Sequence, residues 1–161
     1  MALGVALKSD SIIDVALKKP VLGYYDMQKY HVYDDGWWNE GSVVYHFYPL
    51  RAILLSAEAV RCRNIDLYDP KVVNMFLSPV QLLYSDLMFP SQNDGWYGTT
   101  LFEQTGLYEI VALRTGNRQM TDILAACYKK IERKSPEALI NGMDLKSHDG
   151  CVSLDSHLFP D

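Results

Sequence analysis

Apolar residues recur at helical spacing along most of the chain, and each run is bounded by residues that start or stop helices. Ile12, Ile13, Ala16 and Leu17 share one helical face. Ser9 and Asp10 can cap that helix, Lys18 and Lys19 suit its C-terminal dipole, and Pro20 ends it. A second helical piece is predicted from Tyr24 to Tyr33, with Tyr25, Met27, Tyr30 and His31 available to one face, before Asp34-Asp35-Gly36 turns the chain. Phe47, Leu50, Ile53, Leu54, Ala57 and Val60 form a stripe broad enough for a helix packed between others. That helix is predicted to run from Val43, capped by Ser42, to about Arg63. Pro49 lies inside it, and either kinks it or marks a start one turn later.

Asp69-Pro70 restarts a helix with a cap and a first-position proline. Val72, Val73, Phe76, Leu77, Val80, Leu83 and Tyr84 continue its pattern past a second proline, Pro79. A loop from Phe89 to Thr99 follows. Thr100-Leu101-Phe102-Glu103 reads as a capping box opening a helix through Leu107, Ile110, Val111 and Leu113 to Gly116. Another helix is expected from about Gln119 to Arg133, and a short one from Ser135-Pro136-Glu137 to Gly142. Beyond it the rhythm fades, and Cys151-Val152-Ser153-Leu154 has the character of a strand. The fold class is therefore all-α, in helical hairpins, with a short irregular or β tail. Residues 1–142 are expected to form one helical domain, and 143–161 an extension or the start of another.

One echo runs through this pattern. Asp35-Gly36-Trp37-Trp38 returns as Asp94-Gly95-Trp96-Tyr97, about one helical hairpin later. An α-helical array that comes back to the same end every two helices would set both turns on one rim. Asp-Gly is also a common turn dipeptide, so coincidence is the alternative.

The totals narrow the function classes. A length of 161 residues suits one domain with a real core, and 48% hydrophobic with 22% charged residues is an ordinary globular balance. A net charge of −5 argues against nucleic acid, whose phosphates need a basic face. Cys62, Cys127 and Cys151 are far apart and odd in number, and His31, His46, His148 and His157 lack ligand-like spacing; no metal or other cofactor is implied. The apolar start before Lys8 is too short for a signal peptide, and no segment reaches the length of a membrane span. Periplasmic, secreted and cytoplasmic settings for a longer parent stay open.

Chemistry concentrates in Asp34-Asp35-Gly36-Trp37-Trp38-Asn39-Glu40-Gly41-Ser42-Val43-Val44-Tyr45-His46-Phe47-Tyr48. Over Asp35–Ser42 and Tyr45–Tyr48 the chain resembles the heparinase II/III-type polysaccharide lyases and their oligo-alginate lyase relatives. The likeness is strongest over residues 34–55, extends through 90–97, and is architectural elsewhere. It implies an incomplete (α/α) toroid followed by a β-sandwich, and cleavage of uronate-containing polysaccharide by β-elimination. That reaction needs a group to neutralise the uronate carboxylate, a base for the neighbouring proton and an acid for the leaving oxygen. By position in the motif Tyr45 is the general acid/base. His46 is the second candidate in the catalytic set, ranked as a support for Tyr45 ahead of a base, because adjacent helical residues diverge by about 100°. Trp37, Trp38 and Trp96 are candidates to stack on sugar rings, Asn39 and Glu40 to contact the substrate, and Asn93 and Asp94 to line the same cleft. Arg51 and Arg114 are available as positive charge, though helix arginines more often make solvent-facing ion pairs.

Each residue also has a plainer role: Tyr45 in helix packing, the tryptophans as cover for a hairpin end, Glu40 at a helix N-terminus. The family's upstream Asn or His loop and its β-sandwich are not in this sequence, so the expectation is part of a lyase toroid, weak or inert alone. Its partners are then an acidic polysaccharide or oligosaccharide, and a missing domain or a second copy covering exposed helix faces. A non-catalytic carbohydrate-binding fragment is the alternative. A glycoside hydrolase using Glu40 with Asp94 or Asp35 is another, since paired carboxylates about 5–10 Å apart would serve it.

Overall fold

The computed structural model describes residues 1–130, which are mostly helical and carry only isolated β-bridges. The expected helix to Gly142, the expected strand at Cys151 and the division at residue 142 lie outside the described residues. The chain divides into two compact units: Met1–Leu82 with Pro90–Tyr97, and Leu83–Phe89 with the residues from Gly98 onward.

The first unit is built around the apolar stripe. It forms α4 (Val43–Arg61), whose inward residues Val43, His46, Phe47, Leu50, Ile53, Leu54, Ala57 and Val60 are all buried. Ser42 caps it, its Oγ accepting the Tyr45 N–H at 3.2 Å. Pro49 sits inside the helix without ending it. Helix α1 (Ala2–Ala6) packs on α4 and on α2 (Asp10–Lys18), and α2 packs in turn on α3 (Tyr24–His31). The first of these was not anticipated, being five residues long and lacking a capping side chain. Ser9 occupies the N-cap of α2, but its hydroxyl pairs with that of Ser11 at 3.0 Å and makes no cap bond.

Helix α5 (Pro70–Leu77) begins as expected, with Asp69 Oδ1 accepting the Val72 N–H at 2.9 Å. It does not continue through the second proline. Pro79 starts a separate 3-10 turn, Pro79–Leu82, because a proline has no N–H for the helical ladder and its ring crowds the preceding turn.

In the second unit a bridge joins Met88 to Thr100, flanked by the Phe89 N–H on the Thr99 carbonyl at 2.9 Å. The expected capping box at Thr100 is not made. A 3-10 turn, Leu101–Gln104, intervenes, and α6 (Thr105–Thr115) starts after it. Gly116, at φ +64°, ends α6 in the left-handed conformation that glycine adopts freely. Asn117 then caps α7 (Arg118–Lys130) by accepting the Met120 N–H at 3.1 Å. The two helices pack together through Tyr108, Val111, Met120, Leu124 and Cys127, all buried, and the Tyr128 hydroxyl donates to Glu109 inside that core.

Candidate functional site

The loop between α3 and α4 carries most of the sequence's candidate residues, and it is tightly specified. Val32 and Trp38 form an antiparallel bridge, with the Tyr33 N–H on the Trp37 carbonyl and the Asn39 N–H on the His31 carbonyl, both at 2.9 Å. Asp35 Oδ1 accepts the Trp37 N–H at 3.0 Å, closing the turn that Asp-Gly announces. Gly36 is required there. Its φ is +89°, and a Cβ would stand 2.8 Å from the Asn74 backbone.

His46 is the pin beneath this loop. It is completely buried; its Nδ1 accepts the Trp38 N–H at 3.0 Å, and its Nε2 lies 2.7 Å from the Met75 carbonyl. An amide can only donate and a carbonyl can only accept, so the proton sits on Nε2 and the ring is neutral. Burial lowers its pKa to about 4, against the opposing pull of the Met75 carbonyl and Asp35. The need for this bond is written in the sequence. The Met75 carbonyl would ordinarily accept the N–H of residue 79, which is proline; His46 replaces that donor. The Trp37 ring packs on the imidazole at 4.6 Å and Phe47 meets it edge-on at 5.9 Å. With both nitrogens engaged and no solvent access, His46 holds no lone pair for a substrate proton. Its place is that of a support.

Tyr45, one residue earlier, projects outward from the first turn of α4. It is 42% exposed, and its hydroxyl has no hydrogen-bond partner among the described residues. Arg51 is exposed further along the same helix, whereas Arg114 lies on α6 in the second unit.

Trp38, Glu40 and Asn39 are fixed by one another and by a residue the sequence did not single out for this role. The Trp38 indole N–H donates to Glu40 Oε2 at 3.1 Å, and its ring lies over His31 at 5.4 Å; His31 Nδ1 in turn meets Asn39 Nδ2 at 3.1 Å. Beside them opens a groove of about 580 Å³, with Trp38, Glu40, Tyr48, Tyr24, Met27 and Pro49 on its wall. Tyr45 does not line it. Tyr48, three residues on and therefore on the adjoining helical face, does. Its signal was present in the Tyr45–Tyr48 run but was absorbed into the motif.

The second Asp-Gly-aromatic turn reaches the first. Asn93 Nδ2 donates to the Gly41 carbonyl at 2.7 Å, and both segments belong to the same compact unit. The two copies are not equivalent in detail. Gly36 is buried at positive φ, while Gly95 closes its turn by donating to Gln92 at 2.8 Å, and Trp96 and Tyr97 are 74% and 90% exposed. Asp94 is exposed on this turn. Among the described residues no three His, Cys, Asp or Glu side chains gather as metal ligands would, and no helix is long and apolar enough to cross a membrane. Comparison with protein-family models, curated proteins and solved structures finds no match to this chain.

Proposed function

We propose that this chain carries part of the saccharide site of a heparinase II/III-type polysaccharide lyase, its hairpins being a portion of an incomplete (α/α) toroid. The observation that carries this reading is a rigid aromatic platform next to an exposed phenol. The 34–42 loop is held by His46 from below and by Asn93 from the side, and Tyr45 stands beside it with an available hydroxyl. A sugar ring binds well against a flat aromatic face whose neighbours accept or donate hydrogen bonds, as Trp37 and Trp38 do beside Asn39 and Glu40, with Trp96, Asn93 and Asp94 on the adjoining turn.

In β-elimination from a uronate, the proton next to the carboxylate is removed, the bond to the leaving glycosidic oxygen breaks and a carbon–carbon double bond forms. Tyr45 is the general acid/base: it gives a proton to the leaving oxygen, and the proton removed beside the carboxylate passes to Tyr45 or to a base from outside this motif. A phenol, with an ordinary pKa of about 10, is a competent donor at neutral pH. The groups that neutralise the uronate carboxylate come, by the resemblance, from regions outside this motif. The chain by itself accordingly binds saccharide and turns it over weakly or not at all. Calorimetric titration with uronate oligosaccharides tests this. Binding should weaken at least about tenfold in Trp37→Ala and in Trp96→Ala, while Tyr45→Phe leaves it intact. Absence of binding to any uronate oligosaccharide would sink the proposal.

A second reading, a carbohydrate-binding fragment without catalysis, draws on the exposure of Trp96 and Tyr97 on a turn tied to the first by Asn93. It predicts the same tryptophan dependence and no cleavage under any condition.

A further inference from the structure

The groove beside the platform has a composition that selects for charge. Its wall combines the rings of Trp38 and Tyr48 with Tyr24, Met27 and Pro49, with Met1, and with one carboxylate, Glu40. Among the described residues no lysine, arginine or histidine side chain lines it. Glu40 is also held in place: Trp38 donates its indole N–H to Oε2, which fixes the carboxylate beside the ring. Aromatic faces carry negative electrostatic potential and attract cations, and a carboxylate beside them adds a full opposite charge without closing the space. The groove volume matches a small molecule or one sugar unit.

We propose that this groove binds an organic ammonium ion, a protonated or quaternary amine on a compact body, with Glu40 as its counter-ion and Trp38 and Tyr48 as its aromatic walls. The proposal does not rest on the elimination reaction, since Tyr45 lies off the groove. Two sources would present this chemistry, an amine-bearing sugar and a free choline-like cation, and they are separated by the probes below.

The test is a titration of the 15N-labelled chain followed through the Trp38 indole N–H signal, assigned by Trp38→Phe. The probes are choline against its uncharged carbon isostere 3,3-dimethylbutan-1-ol, and glucosamine against glucose. The expected result is a saturable shift with at least one cation and about tenfold weaker binding of its uncharged partner. Glu40→Gln should weaken the cation by a similar factor and leave the uncharged probe unchanged. A response to glucosamine alone assigns the site to an amine-bearing sugar, and to choline alone to a quaternary ammonium. Equal affinity for charged and uncharged partners, cation binding unchanged in Glu40→Gln, or no shift with either cation would overturn the proposal. Because Glu40 is exposed, its substitution leaves the fold intact, which the unchanged amide spectrum of the rest of the chain verifies.

Discussion

The residue that decides how the candidate loop is read is His46. The sequence ranks it as a support ahead of a base, and its two partners, Trp38 and Met75, show what it holds: the loop above it and the end of α5. Its titration has a definite sign. The folded protein holds the ring neutral with a pKa of about 4, whereas in the unfolded chain the ring protonates near 6.5. Between those values the unfolded state binds the extra proton, so stability rises with pH. The contribution is complete above about pH 6.5 and is lost as pH falls toward 4. The full difference is about 3 kcal/mol. Urea unfolding at pH 4.5 and pH 7.5 should show this loss in the natural chain and a flatter profile in His46→Gln; equal profiles would remove His46 as the cause. Gly36 supplies a second residue-scale test. Gly36→Ala should destabilise by about 2 kcal/mol or more, since both the positive φ and the Asn74 backbone oppose a Cβ. Gly98 has φ +87° but open space around it, so Gly98→Ala should lose only about 1 kcal/mol. Thermal melts of the pair separate crowding from backbone strain.

At the scale of elements, what was legible is what depends on local pattern. The α4 stripe, the Ser42 and Asp69 caps and the left-handed end at Gly116 all follow from neighbours within a few residues, and each is where the spacing predicted it. The misses came from competition between local signals. Val80, Leu83 and Tyr84 keep a helical period, yet Pro79 removes the N–H that the ladder needs, and the chain leaves α5 before them. Thr100 and Glu103 have the spacing of a capping box, but a 3-10 turn precedes α6 instead. The groove was not legible at all, because Tyr24, Trp38 and Tyr48 meet only once three separate elements have packed. The platform was half legible: its residues were visible in one run, while the Asn93 clasp was foreshadowed only by the repeated Asp-Gly-aromatic turn. Ser42→Ala should cost about 1 kcal/mol through loss of the Tyr45 N–H cap, measured by denaturant unfolding. Tyr45→Phe, on the exposed face of the same helix, should change stability by less than about 0.5 kcal/mol.

At the scale of the whole molecule, the described chain leaves several large apolar side chains in water, among them Leu3, Leu7, Val21, Leu22 and Leu55. Leu3 and Leu55 lie on helices and Leu7, Val21 and Leu22 in the turns between them, and we propose that a second copy covers part of this surface. Sedimentation velocity at micromolar concentration should therefore show self-association that Leu22→Glu with Leu55→Glu reduces. A clean monomer across that range would count against covered faces. The acidic balance of the chain, −5 overall, also makes recognition of an anionic polymer depend on locally placed groups. Salt should then have only a modest effect on saccharide binding.

The account turns on Tyr45 as the proton donor in an elimination, and the most direct measurement is the ultraviolet absorbance of products from uronate-containing polysaccharides at high protein concentration. The account predicts at most a slow growth of the absorbance of an unsaturated uronate with the natural chain, and none in Tyr45→Phe while the helical circular dichroism stays unchanged. An undiminished signal in Tyr45→Phe would contradict it, and so would cleavage that leaves no double bond.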